Sequence, residues 1–280
     1  RLEKNTWLSY ETRQKAITKL NTLGIHVGYP EKIPAYYDKF ITKTKEAGGT
    51  LIENALAFSR IVREDNFSKY GQEKDRDEWE MSAATVNAYY HPFLNVIVFP
   101  AAILQAPFYS LEQSASANYG GIGAVIAHEI SHAFDNNGAK FDEFGNMNNW
   151  WTEADLAQFE KLSQAMIAEF DGLPYAGGKV NGTLTVSENI ADAGGLSCAL
   201  AAAKKEDQVS LEDFFTNWAK IWRSKARPQY EQLLLAIDVH APAKLRGNIQ
   251  LQNIDDFYTT YDINEQDGMY LAPEKRVHIW

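Results

Sequence analysis

The sequence predicts a mainly helical α+β chain with one small sheet, and three observations carry that prediction. Gly120 to Phe134 is an apolar run interrupted by His128, Glu129 and His132, suited to a buried helix and too polar for a membrane span. Long amphipathic patterns recur around 152–170 and 210–235, and a further helical segment surrounds Glu188. Against these, Asn95 to Ala102 is a β-branched and aromatic run with little alternation, ended by Pro100, as expected of a mostly buried strand.

Taken in chain order, residues 1–62 read as helical. Trp7-Leu8-Ser9-Tyr10-Glu11 leads the first helix, Gly28-Tyr29-Pro30 breaks the pattern, and a second amphipathic helix runs through Phe58. Arg63 to Glu80 is charged, contains Gly71 and reads as a connector. The chain therefore divides into a helical lead-in and connector, 1–80, and a main domain, 81–280. The strand at Asn95 to Ala102 is either plain sheet core or an edge strand facing a cleft, where an extended peptide would pair with it through main-chain hydrogen bonds. Thr152 has the character of an N-cap, with Glu153 in the first turn of the helix it starts.

Composition narrows the class. The chain of 280 residues is 45% hydrophobic and 23% charged, with a net charge of −10 and a pI near 5.1. An acidic chain of this kind argues against nucleic acid and anionic membrane as partners, and no apolar segment is long enough to span a bilayer. The single cysteine, Cys198, has no internal partner for a disulfide.

The chemistry is concentrated in His128-Glu129-Ile130-Ser131-His132. Residues i and i+4 of a helix project side by side, so both imidazoles can reach one metal ion while Glu129 sits beside them. This H-E-x-x-H spacing is that of a catalytic zinc site. A metzincin would continue H-x-x-G-x-x-H, but those positions hold Asp135 and Gly138, which excludes that class. Glu153 and Glu188 compete as third ligand. A helix start accounts for Glu153. Glu188 and Asp192, again at i and i+4, would repel each other unless a cation sits opposite. Zinc on Glu188, with Asp192 accepting the spare N–H of a ligand histidine, resolves that repulsion, so the chemistry favours Glu188. Gly194 and Gly195 would let the Glu188 helix approach the histidine helix closely.

His128 to Asp135 together with Glu188-Asn189-Ile190-Ala191-Asp192 resembles the neprilysin family of zinc metallopeptidases, which includes bacterial PepO-type oligopeptidases. Val86-Asn87-Ala88-Tyr89-Tyr90 with Asn95 to Gln105 is similar to the family's substrate-binding strand region, and Asp238 to Arg246 to its C-terminal catalytic segment. The resemblance implies a thermolysin-like zincin domain in which one zinc ion is bound by His128, His132 and Glu188, with Glu129 as general base. It implies that Asp135 and Asp192 hold the ligands, that Asn87 and Ala88 bind the substrate main chain, that His240 stabilises the oxyanion, and that Arg246 binds a substrate carbonyl. Ile103, Phe108, Val125, Ile221 and Trp222 match positions lining the family's apolar pocket, which Ala124 would widen where the family carries a bulkier residue.

The implied activity is endopeptidase cleavage of short peptides on the amino side of hydrophobic residues. The ending Arg276 to Trp280 lacks the cysteine of extracellular animal members, which favours a bacterial, disulfide-free and cytoplasmic member, with secretion left open. Family members are considerably longer, with a helical N-terminal region covering the active site; the resemblance therefore implies that this chain is the catalytic C-terminal part and that such a region is its partner. Two rival readings stand beside it. A peptide-binding or structural-zinc module would keep the histidines and dispense with Glu129, and a non-metal interaction domain would bind no zinc.

Overall fold

The computed structural model describes residues 1–280. Ser9 accepts the Thr12 N–H and so starts α1 (Tyr10–Asn21), which leads directly into β1 (Gly24–Gly28). That strand departs from the expected all-helical lead-in. Its apolar residues Ile25 and Val27 point to solvent at 64% and 57% exposure, so its pattern carries no inward-facing signal. After a 3₁₀ turn at Ala35–Lys39, a Thr50/Glu53 capping box opens α2 (Leu51–Ser68). This helix runs past Arg63 and takes up the first part of the expected connector. None of its residues is buried.

β2 (Tyr89–His91) and β3 (Val96–Pro100) complete a sheet of order β1-β3-β2, with β1 parallel and β2 antiparallel to β3. Every residue of β3 is buried, because the strand is central and has partners on both sides. The edge-strand alternative for Asn95 to Ala102 therefore fails. The sheet's edges are β1 and β2, and it is β2 whose Tyr89 and Tyr90 line the cleft. Asn95 introduces β3 at a left-handed φ of 49°, and its side-chain amide donates to Lys19 O at 3.1 Å.

A short α3 (Ala115–Asn118) and a π-helical turn at Tyr119–Gly123 run into α4 (Ala124–Ser131), which carries the histidines. Glycine is needed in the turn: a Cβ on Gly120 would lie 2.0 Å from Phe214 O. Thr152 caps α5 (Glu153–Phe170) as expected. After a hairpin of β4 (Pro174–Tyr175) and β5 (Gly178–Lys179), Asn181 caps α6 (Gly182–Ala203), the most buried helix. α6 packs along α4. A Cβ on Gly194 would lie 2.3 Å from Ser131 Oγ, and one on Gly195 would lie 2.7 Å from Ala124 O, so larger residues would force the two helices apart.

The pattern at 210–235 resolves into two helices, α7 (Leu211–Ile221) and α8 (Pro228–Ile237). Pro228 explains the break, since it fits the first turn of a helix and not its interior. α9 (Ala243–Ile249) and α10 (Asp255–Tyr261) follow. One core joins β3, α4, α6 and α7. A second lies between α5, α6 and the two chain ends, where Trp7 stacks on Trp151 and Phe159 and also meets Trp280. No helix is long and apolar enough to cross a membrane.

Candidate metal centre

α4 presents His128 and His132 on one face, and their Nε2 atoms come within 3.0 Å of each other. α6 brings Glu188 against them: its Oε2 lies 3.3 Å from His128 Nε2 and 3.5 Å from His132 Nε2. Each imidazole has a carboxylate behind it: His132 Nδ1 hydrogen-bonds Asp135 Oδ2 at 2.6 Å, and His128 Nδ1 lies 2.9 Å from Asp192 Oδ1 without an aligned hydrogen bond. Asp192 is itself gripped by Arg246, whose Nε and Nη2 each donate at 2.7 Å and whose guanidinium stacks 3.7 Å above the Trp222 ring. Ser187 Oγ donates to Asp135 Oδ2 at 2.6 Å. Glu129 is buried, and its carboxylate lies within 4.8 Å of the ligand nitrogens of both histidines.

The electrostatics favour positive charge at this point. Burial pushes the His132 imidazole down, but the hydrogen bond to Asp135 and the negative charge of Glu188 outweigh it and hold the group well above the usual histidine range. Burial pushes Glu188 up, yet the three surrounding imidazoles hold it well below the usual carboxylate range. Asp192, also opposed by burial, is held at about 2 by Arg246 and His128. Glu129 moves the other way: burial raises its carboxyl, and the nearby histidines offset this only in part.

These residues fit a zinc ion. Tetrahedral coordination at about 2.0–2.1 Å separates ligand atoms by about 3.3–3.4 Å. The edges of the triangle formed by His128 Nε2, His132 Nε2 and Glu188 Oε2 measure 3.0, 3.3 and 3.5 Å. Glu188 Oε2 is buried without an aligned hydrogen bond, a vacancy in its bonding that a cation satisfies. Neutral imidazole and carboxylate donors, each with a carboxylate or histidine partner behind, suit zinc.

The centre lies in a cleft of about 480 Å³. Among the residues expected at the site, Asn87, Ala88, Ile103, Phe108, Val125, Trp222, His240 and Arg246 line this cleft with the metal-centre groups. Ile221 does not. On α7 it turns into the core beside Trp218, and the cleft face of that helix is formed by Trp218 and Trp222, one turn apart. Trp218 was not anticipated, although its i−4 relation to Trp222 marks it. His240 places Nε2 3.1 Å from Glu188 Oε2 and Nδ1 2.8 Å from Asp238 Oδ1. Glu153 is exposed at the start of α5 and is absent from the cleft lining.

Comparison with known proteins supplies the family. A profile of peptidase family M13 matches residues 87–277. A neutral endopeptidase of Lactococcus lactis subsp. lactis is 56% identical over 280 residues, covering all of this chain and 44% of the relative. Human neprilysin is 36% identical over 298 aligned residues, which cover all of this chain and 40% of neprilysin. The crystal structure of PepO from Lactobacillus rhamnosis superposes with a TM-score of 0.93 at 47% identity, covering all of this chain and 44% of that one. This chain thus spans less than half the length of these relatives. With the family profile over most of its length and the histidine–glutamate centre at the heart of the matched segment, the chain belongs to peptidase family M13.

Proposed function

We propose that the chain holds the zinc centre of an endopeptidase that cuts short peptides on the amino side of hydrophobic residues. The observation that carries this reading is the convergence of His128 Nε2, His132 Nε2 and Glu188 Oε2 beside the buried carboxylate of Glu129. These three atoms would hold one zinc ion. When bound, zinc polarises the scissile carbonyl and loosens the protons of the attacking water.

The chain's own residues supply the rest. Glu129, raised by burial, accepts a proton from the water and returns it to the leaving amine. Asp135 and Asp192 keep the imidazoles in the tautomer that leaves Nε2 free for metal. His240 Nε2 has a solvent-accessible side chain and swings from Glu188 to the charge growing on the carbonyl oxygen. Arg246, locked on Asp192, sets a fixed positive charge on the cleft wall and donates to a substrate carbonyl. Asn87 and Ala88, leading into edge strand β2, hold the substrate main chain in extended form. Ile103, Phe108, Val125 and Trp222, with Trp218 added, form the apolar wall that selects the residue after the cut. The relatives' greater length supports a further helical region of the same protein as the partner that restricts access to short peptides.

The test combines metal content with hydrolysis of an internally quenched peptide carrying Leu or Phe after the cleavage point. Purified protein should contain zinc in proportion to chain and cut before the apolar residue. A protein that binds no zinc, or cuts without regard to the following residue, overturns the reading.

A further inference from the structure

Lys19 is a charged residue buried outside the cleft. It lies on the last turn of α1 and is 1% exposed. Its ammonium donates to the carbonyl oxygens of Ala133, Gly138 and Phe141, each at 2.7 Å. The rings of Tyr90, Phe134 and Trp150 stand around it at 5.8–5.9 Å. Lysine has three donors and no acceptor, so its bonding capacity is fully used. Burial lowers its pKa to about 8 against the pull of Asp135, Asp142 and Glu143. A buried cation is a costly way to fill a core, and a methionine of similar length would fill the space without that cost.

The loop that Lys19 grips is the one leaving the histidine helix. Its held carbonyls lie on both sides of Asp135, whose Oδ1 accepts the N–H groups of Asn137 and Gly138 at 2.7 Å. Asp135 Oδ2 in turn meets His132 Nδ1. The turn is closed so tightly that a Cβ on Gly138 would lie 1.8 Å from His132 O. A shift of the loop therefore moves Asp135 relative to His132.

We infer that Lys19 is a positioning residue of the metal centre, fixing the loop on both sides of Asp135 so that this carboxylate aligns His132 and sets the zinc affinity. The inference rests on the proposed role of His132 as a ligand. It assigns α1, far earlier in the chain than the histidines, a part in metal binding that its distance from the cleft conceals.

The experiment measures zinc dissociation constants by chelator competition, with thermal unfolding and the visible spectrum of the cobalt-substituted form, on the intact protein. Lys19→Met should weaken zinc binding about 10- to 100-fold, the usual effect of losing a ligand's supporting contacts, and should shift the cobalt bands. Asp155→Ala is the control. It removes the contacts of Asp155 with Ser9 and Thr152, loosening the start of α1 from α5 without touching the loop, so it should lower the unfolding temperature and leave zinc affinity unchanged. Unchanged affinity in folded Lys19→Met, or an equal loss in both variants, overturns the inference. Should Lys19→Met fail to fold, Lys19→Gln, whose shorter amide keeps two N–H donors and cannot hold all three carbonyls, is read in its place. A several-fold weakening there supports the inference and an unchanged constant overturns it. His132→Ala separates the two levels: if it retains zinc, the ligand assignment itself has failed, whereas zinc lost there and kept in Lys19→Met defeats the positioning role alone.

Discussion

Glu129 and Glu188 are both buried carboxylates one helix apart, yet their surroundings push them in opposite directions, burial raising one and three imidazoles lowering the other. That contrast is what the proposed roles call for, a proton carrier at Glu129 and a metal ligand at Glu188. Glu129→Gln should keep zinc and lose turnover by about 100- to 10,000-fold, the usual contribution of a general base; full turnover at full zinc occupancy would assign the proton elsewhere. Glu188→Gln should lose zinc and activity together, while the same change at Glu153, exposed at a helix start, should keep both; metal analysis of the two variants checks this. Much of this placement was legible in the sequence because His128/His132 and Glu188/Asp192 each lie one helical turn apart, and helix geometry alone puts such pairs on one face. The grip of Arg246 on Asp192 was not legible. Its partners are 54 residues apart and meet only through packing, so sequence resemblance supplied the arginine but gave it a substrate rather than Asp192 as partner.

At the scale of elements, the α4–α6 contact decides whether the two halves of the centre meet. Gly195→Ala would gain about 1 kcal/mol of helix propensity. The added Cβ would instead strike Ala124 O, His128 N and His128 Cα, backbone atoms that cannot turn aside. The expected outcome is a net loss of about 1–3 kcal/mol, read from the denaturant midpoint, together with weaker zinc binding; a more stable variant with unchanged zinc would refute it. The close approach of these helices could be read from the paired glycines. The position of the strands could not. β1 has its apolar residues facing solvent, and β3 lacks alternation whether it is central or at an edge, so only the pairing itself distinguishes the two cases. The division of 210–235 was marked by Pro228, a helix-start residue that a long amphipathic pattern concealed.

Across the whole molecule, stability is unevenly distributed. α6 is mostly buried, whereas α2 buries no residue and leaves Leu51, Ile52, Leu56 and Phe67 at 66% exposure or more. Amides of α2 should therefore exchange with solvent well ahead of those in α6 when this chain is studied alone, and equal protection would contradict the structure. A pH term acts on the global equilibrium as well. Burial raises the Glu169 carboxyl from the ordinary 4.5 to about 7, with Asn253 pulling it partly back. Between those values the folded chain keeps a proton that the unfolded chain has released, so this group's contribution to stability falls as pH rises through that window. Glu169→Gln should flatten the decline, as seen by comparing unfolding midpoints of both proteins at pH 4.5 and 7.5; identical slopes would rule the group out. The stack of Trp7, Trp151, Phe159 and Trp280 has a further use, because it joins the first and last segments of the chain to its middle. Indoles held this close in fixed orientation make an intrinsic optical gauge. Their near-ultraviolet circular dichroism should fall by a part when either end detaches, while far-ultraviolet ellipticity persists, so two wavelengths followed during one melt would distinguish fraying of the termini from collapse of the helices.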